Sequence, residues 1–150
     1  MKKKKQLPYP LYLKILEVMP MVYADVVLVH EGKILLLKRN ISPMKGYWLT
    51  PGGRLEKGER LEAAARREAL EETGLHVQIT KLLGIEEYVQ RIPGNKKRHC
   101  INFYYQAILS PRSRNRIALD FESSDSGWFT SIPSKTPSYL KRMLGEAGFK

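Results

Sequence analysis

The chain has a single cysteine, Cys100, among its 150 residues. That excludes an internal disulfide and points to a reducing, cytoplasmic setting. In a strand-like run, this thiol reads as core filler rather than as a nucleophile. No apolar run reaches the roughly 18 residues of a membrane span, so no membrane partner is expected. The basic N-terminus carries Pro8 and Pro10 and lacks a clean apolar core, which argues against a secretory signal. There is no internal repeat, no low-complexity stretch beyond Lys2 to Lys5, and no linker that would split the chain. The expectation is one domain over residues 1–150, with residues 1–8 as a flexible basic tail. Acidic residues are scarce: 15 Asp and Glu face 26 Lys and Arg, for a net charge of +11. Such an excess suits a nucleic-acid surface or the attraction of a small polyanion such as a diphosphate. The basic residues, however, are scattered over Lys2 to Lys5, Lys96 to Arg98, and Arg112, Arg114 and Arg116. Most flank turn signals, which is the pattern of solvated loops. Charge alone decides nothing.

What is present alternates strand and helix signals. Tyr9 to Val18 suits a short helix ending before Pro20. Val22 to His30 and Ile34 to Lys38 read as strands joined by a Glu31-Gly32 turn. Tyr47 to Thr50 is a short strand running into Pro51-Gly52-Gly53. Arg60 to Thr73 has helical composition and is closed by Gly74 at the C′ position. Val77 to Val89 and His99 to Ile108 are strand-rich, with Pro93-Gly94-Asn95 as the turn between them. Trp128 to Thr130 reads as a last short strand, and Pro137 to Gly145 as a C-terminal helix. Strands before, around and after one central helix imply an α/β chain with a mixed sheet and helices on its faces.

The chemistry concentrates in Gly53 to Leu75. At about 100° per residue, Leu61, Ala64, Ala65, Glu68, Glu71 and Glu72 fall within an arc of roughly 120°. The helix face thus begins small and apolar and ends acidic. An apolar stripe points to the core, so the carboxylates should stand at its edge, against the sheet. Three carboxylates on one turn repel one another when partly buried. Raised pKa values would relieve this; so would a hard divalent cation, which Mg²⁺ chemistry would complete with phosphate oxygens. Arg67 can fork onto a carboxylate, and Gly52-Gly53 allows close backbone approach. A lone acidic helix would more often be a solvated one.

The spacing changes that balance. Gly53, Glu59, Arg67, Glu68, Glu71, Glu72, Gly74 and Leu75 stand where the Nudix box requires them, and in this the sequence resembles the Nudix family. With each fixed residue at a background frequency of about 7%, seven matches in one window arise by chance roughly once in 10⁸. The one departure is Ala69 at an aliphatic position. The lead-in Gly46 to Gly52 also looks like the family's.

The resemblance implies an αβα sandwich with a mixed β-sheet and a loop-helix-loop catalytic segment. It implies Glu72 as principal metal ligand, with Glu71, Glu68 and the Gly52 carbonyl completing the shell for Mg²⁺ or Mn²⁺. Arg67 would orient the glutamates, and Glu59 would brace the loop or bind metal remotely. For the general base, relatives point to a late loop before a Trp-containing strand, here Asp120 to Gly127, where Glu122 is preferred over Asp125; Glu68 competes. Arg39 and Tyr47 are the substrate-binding candidates. Trp48 reads as core more than as a stacking platform, while Tyr88 and Tyr104 could line the pocket. The segments Lys38 to Trp48 and Tyr9 to Tyr23 also look similar to the family's GDP-mannose mannosyl hydrolase branch. That branch has a degraded box and a late-loop histidine, whereas this chain has an intact box and Ser123 near that place.

The implied activity is therefore hydrolysis of the diphosphate bond in a nucleoside diphosphate linked to another moiety, of the ADP-ribose or nucleotide-sugar type. The alternatives are a pyrophosphohydrolase of oxidised nucleoside triphosphates, and a non-catalytic nucleotide-sensing or RNA-binding domain. The complete box disfavours the last, and with it a nucleic-acid partner. A homodimer is in keeping with the family, though no residue here specifies an interface.

Overall fold

The computed structural model describes residues 6–150. The basic tail expected at the N-terminus lies outside them up to Lys5, while Gln6 to Pro8 lead directly into the first helix. Ten elements follow in order: α1 (Tyr9–Val18), β1 (Met21–His30), β2 (Lys33–Arg39), β3 (Trp48–Leu49), β4 (Gly52–Arg54), α2 (Leu61–Thr73), β5 (Val77–Ile92), β6 (Lys96–Leu109), β7 (Ser123–Phe129) and α3 (Ser138–Glu146). Pro8 caps α1 and Pro10 lies in its first turn, where the missing amide costs nothing. Gly74 ends α2 at φ 73°, its amide donating to the Leu70 carbonyl at 2.8 Å.

The sheet has seven strands with a β3-β2-β1-β6-β5 spine, β4 adding to β1 and β7 to β2. Strands β1 and β6 run parallel, and the other pairs are antiparallel, so the sheet is mixed. Strand β2 meets β1 only near the end of β1, at Val29 and His30. Alongside the start of β1 lies β4 instead, at Tyr23 to Asp25. The sheet therefore parts between β2 and β4.

Each face of the sheet carries its own core. On one, Ala64, Ala65 and Ala69 of α2 pack against Ala24, Val26, Leu28, Tyr105 and Ala107. On the other, Leu140, Met143 and Leu144 of α3 pack against Val27, Ile34, Leu36 and Tyr104. The three layers match the expected αβα sandwich. Cys100 is fully buried with a free thiol, as core filler should be. Among the described residues no helix is long and apolar enough to cross a membrane.

Several boundaries depart from the sequence reading, among them the start of β6 at Lys96 rather than His99. Gly52–Arg54 forms a strand that its two glycines did not advertise. The late loop expected over Asp120 to Gly127 is mostly strand, because Ser123 to Phe129 pairs with β2 in spite of the poor strand propensity of Ser-Ser-Asp-Ser-Gly. In β5 pairing runs on to Ile92, with two register shifts on the way.

Candidate active site

Gly52 and Gly53 set the local geometry. They pair with Asp25 and Ala24 respectively, and so look to opposite faces of the sheet. A Cβ on Gly53 would stand 2.3 Å from the Glu68 carboxyl carbon; one on Gly52 would stand 2.1 Å from an Asp25 carboxylate oxygen. Glycine alone lets both carboxylates come this close to the strand. The Gly52 amide then donates to Glu72 Oε2 at 3.1 Å. Sequence reasoning engages Gly52 through its carbonyl; in the fold its amide is the group that meets a box glutamate.

Arg67 organises the remaining carboxylates. Its Nε and Nη2 grip the two Glu59 oxygens at 2.7 and 2.9 Å. Its Nη1 donates to Glu68 at 2.7 Å and to Glu71 at 3.4 Å, and Nη2 also reaches the Arg54 carbonyl at 3.1 Å. The fork holds the Glu59 carboxyl below the usual carboxylate range. Glu59 Oε2 in turn accepts from the Glu56 amide, so it braces the loop ahead of α2.

These groups back onto a cleft of about 430 Å³ on the α3 side of the sheet. Of the residues expected from sequence, Gly52, Glu72, Arg39 and Glu122 line it, with Tyr88, Tyr104 and Ser123. Glu68, 1% exposed, and Glu71 stand behind the wall, tied to Arg67. Arg39 and Glu122 are brought together: Arg39 Nη1 lies 3.8 Å from Glu122 Oε2. Arg39 Nε is spent on the Ile41 and Pro43 carbonyls, at 3.1 and 2.6 Å, so this arginine also pins the loop after β2.

Tyr47, the other substrate-binding candidate, is 38% exposed and is not among the residues lining this cleft; its carbonyl accepts from the Arg39 amide. Asp125 is exposed on β7, opposite Lys38, and is likewise outside the wall. Trp48 packs edge-on against Phe129 at 4.8 Å, in the core as expected.

Sequence reasoning missed Asp25 and Arg98. Asp25 lines the cleft, accepts from the Thr50 hydroxyl at 3.2 Å, and is pushed up to about 8 by burial, with Glu68 adding to the rise. A lone acid inside Met-Val-Tyr-Ala-Asp-Val-Val was the available signal. Arg98 was assigned to a solvated turn; instead it sits half-buried on β6 and lines the cleft.

A hard cation fits the donors present, all oxygen: the Glu72 and Asp25 carboxylates and the strand backbone at the wall, with Glu68 against Gly53 behind. Among the described residues no three His, Cys, Asp or Glu side chains gather into a cage of their own. Mg²⁺ does not require one, since it keeps waters and substrate phosphate oxygens in its shell.

A NUDIX domain profile matches residues 19–131. The chain belongs to the Nudix family. An ADP-ribose pyrophosphatase of Methanocaldococcus jannaschii is 41% identical over 92 residues, covering 61% of this Nudix chain and 52% of that protein. The chain thus matches about half the length of that relative. Low-salt glycan biosynthesis protein Agl8 of Haloferax volcanii is 38% identical over 128 residues, 83% of this chain and 80% of that one. Among solved structures, a MutT NUDIX hydrolase from Burkholderia pseudomallei superposes with a TM-score of 0.73 at 27% identity, over 85% of this chain and 98% of that one.

Proposed function

We propose that the protein hydrolyses the diphosphate bond of a nucleoside diphosphate linked to a second moiety, of the ADP-ribose or nucleotide-sugar type, with Mg²⁺ or Mn²⁺ as cofactor and in the cytoplasm. The observation that carries this reading is the Gly52–Glu72 contact at the wall of an open, tyrosine-lined cleft, with the complete box behind it. The similarity to an ADP-ribose pyrophosphatase and to a glycan-biosynthesis protein supports the substrate class.

Glu72 and the Gly52 carbonyl would hold the cation at the wall, with Glu68 and Glu71 behind them. When bound, the cation neutralises charge on the diphosphate oxygens and makes water more acidic. Arg67 keeps Glu68 and Glu71 from splaying apart. Of the two candidate bases, Glu122 lines the cleft and is the one we assign to accept the proton of the attacking water; Glu68 is too enclosed. Arg39, at 3.8 Å, orients Glu122 rather than acting alone on a phosphate.

The test is a panel of ADP-ribose, nucleotide sugars and oxidised nucleoside triphosphates, with Mg²⁺ or Mn²⁺ and chromatographic separation of products. The expected products are a nucleoside monophosphate and a sugar phosphate. Preferred release of inorganic pyrophosphate from triphosphates would move the protein to the nucleotide-cleansing reading. Turnover undiminished by excess chelator would overturn the metal-dependent mechanism.

A further inference from the structure

The cleft extends past the box. Two residues along β1 from Asp25, roughly 7 Å, comes the row of Tyr23 and Asn102. Beyond it Arg98 sets its guanidinium 5.5 Å from the Tyr23 ring centre. Arg98 cannot lose its charge at any ordinary pH, and its partners are all neutral. Nη2 donates to Gln90 Oε1 at 2.5 Å and Nη1 to the Tyr12 hydroxyl at 3.5 Å. Its Nε is buried and has no acceptor among the described residues. No carboxylate among the described residues pairs with it, and residues 1–5, Met-Lys-Lys-Lys-Lys, contain none. Nearby, Asn102 is 4% exposed; its amide donates to the Tyr104 hydroxyl at 3.1 Å, but its Oδ1 has no partner among the described residues.

Buried polar groups are normally satisfied, and a buried charge is normally paired. Here an unfilled donor and an unfilled acceptor lie buried on side chains that line the same cleft as Glu72. The described residues supply neither partner, and a ligand in the cleft that brings an acceptor to Arg98 and a donor to Asn102 would complete the arrangement. An arginine kept only to pack against Tyr23 would be expected to use its whole fork on the protein.

We infer that Arg98 receives an acidic group, a carboxylate or a phosphate, on the part of the substrate that extends beyond the cleaved linkage. Asn102 accepts from a hydroxyl lying between. This assignment rests on the proposed function and narrows it: among diphosphate-linked substrates, the enzyme selects those carrying one more negative charge.

Two probe pairs separate the sources of that charge. UDP-glucose and UDP-glucuronate differ by a carboxylate; ADP-ribose and its 2′-phosphate differ by a phosphate. With Mg²⁺ present, the acidic member of at least one pair should show a KM about tenfold lower, as a charge-assisted hydrogen bond implies. It should also raise Tm more than its neutral twin. Arg98→Gln should bring both ratios close to one, and Arg98→Lys should retain part of the preference, which a merely structural arginine would not do. Equal KM and equal Tm shifts within both pairs would overturn the inference, as would a preference that survives Arg98→Gln. Hydrolysis without acid preference defeats this inference alone. Acid-dependent stabilisation without hydrolysis of any probe defeats the proposed function and leaves the Arg98 subsite standing. Should Arg98→Gln fail to fold, Arg98→Lys carries the same comparison: a preference undiminished in that variant would overturn the inference.

Discussion

Glu72 and Glu59 belong to the same box but do different physical work, and single substitutions should separate them. Glu72 meets the Gly52 amide at the cleft wall. Glu72→Gln keeps its shape and its acceptor for that amide while removing the charge a cation needs. Turnover should therefore fall roughly 10³-fold, with Tm within a few degrees of wild type. Near-normal turnover in a folded Glu72→Gln protein would remove this residue from the chemistry. Glu59 instead lies under the Arg67 fork, which depresses its pKa. A group whose folded pKa is lowered adds stability above its unfolded pKa, and that stability is lost as pH falls through the folded value. Wild type should thus be more stable than Glu59→Gln at neutral pH, and the gap should close below the ordinary carboxylate range near pH 4. Thermal melts of both proteins from pH 3 to 7 check this; a gap of constant size would mean that the pair contributes no proton-linked stability.

At the scale of elements, two joints position the cleft. The first is β4 against α2, where Gly53 leaves no room for a side chain. Gly53→Ala would force its Cβ to 2.3 Å from the Glu68 carboxyl carbon, so helix or strand must shift. The expected cost is about 1–3 kcal/mol of stability. Activity should fall far more, because α2 carries Glu72; a kcat within twofold of wild type would show that the close approach is dispensable. The second joint docks α3. Arg142 clasps Glu86 with Nε and Nη2, both at 2.7 Å, and Glu86 is only 7% exposed. Arg142→Ala strands that carboxylate. Because the arginine is itself largely exposed, the loss should sit below the full buried-pair penalty, at roughly 1–3 kcal/mol. Tyr139 on α3 stacks on Tyr88 of the cleft wall at 4.2 Å, so KM should rise together with the loss of Tm. Calorimetry and steady-state kinetics on one preparation test both halves; a lowered Tm with unchanged KM would uncouple α3 from substrate binding.

Over the whole molecule, legibility followed the range of the interaction. Helix α1 and the Glu31-Gly32, Pro93-Gly94-Asn95 and Gly74 turns are local matters of proline, glycine and periodicity, and all were readable. The box carboxylates were readable as a set because a helix fixes their common face. Which of them reaches the cleft was not, since that depends on β4 pairing with β1 and on the break between β2 and β4. Arg98 was hidden for the same reason: a basic cluster after a turn looks solvated until β5 and α1 are seen to cover one member of it. The net charge of +11 is the one whole-chain property whose meaning composition left open. If it serves a small polyanionic substrate, long-range attraction should raise the encounter rate and leave the chemical step alone. Raising NaCl from about 0.05 to 0.5 M shortens the screening length from roughly 14 to 4 Å. KM for a diphosphate substrate should then rise several-fold while kcat holds nearly constant. If the charge instead serves RNA, binding of a short single strand should collapse with a steep logarithmic salt slope while KM for the small substrate stays flat. Measuring both over one salt series assigns the charge to one partner or the other.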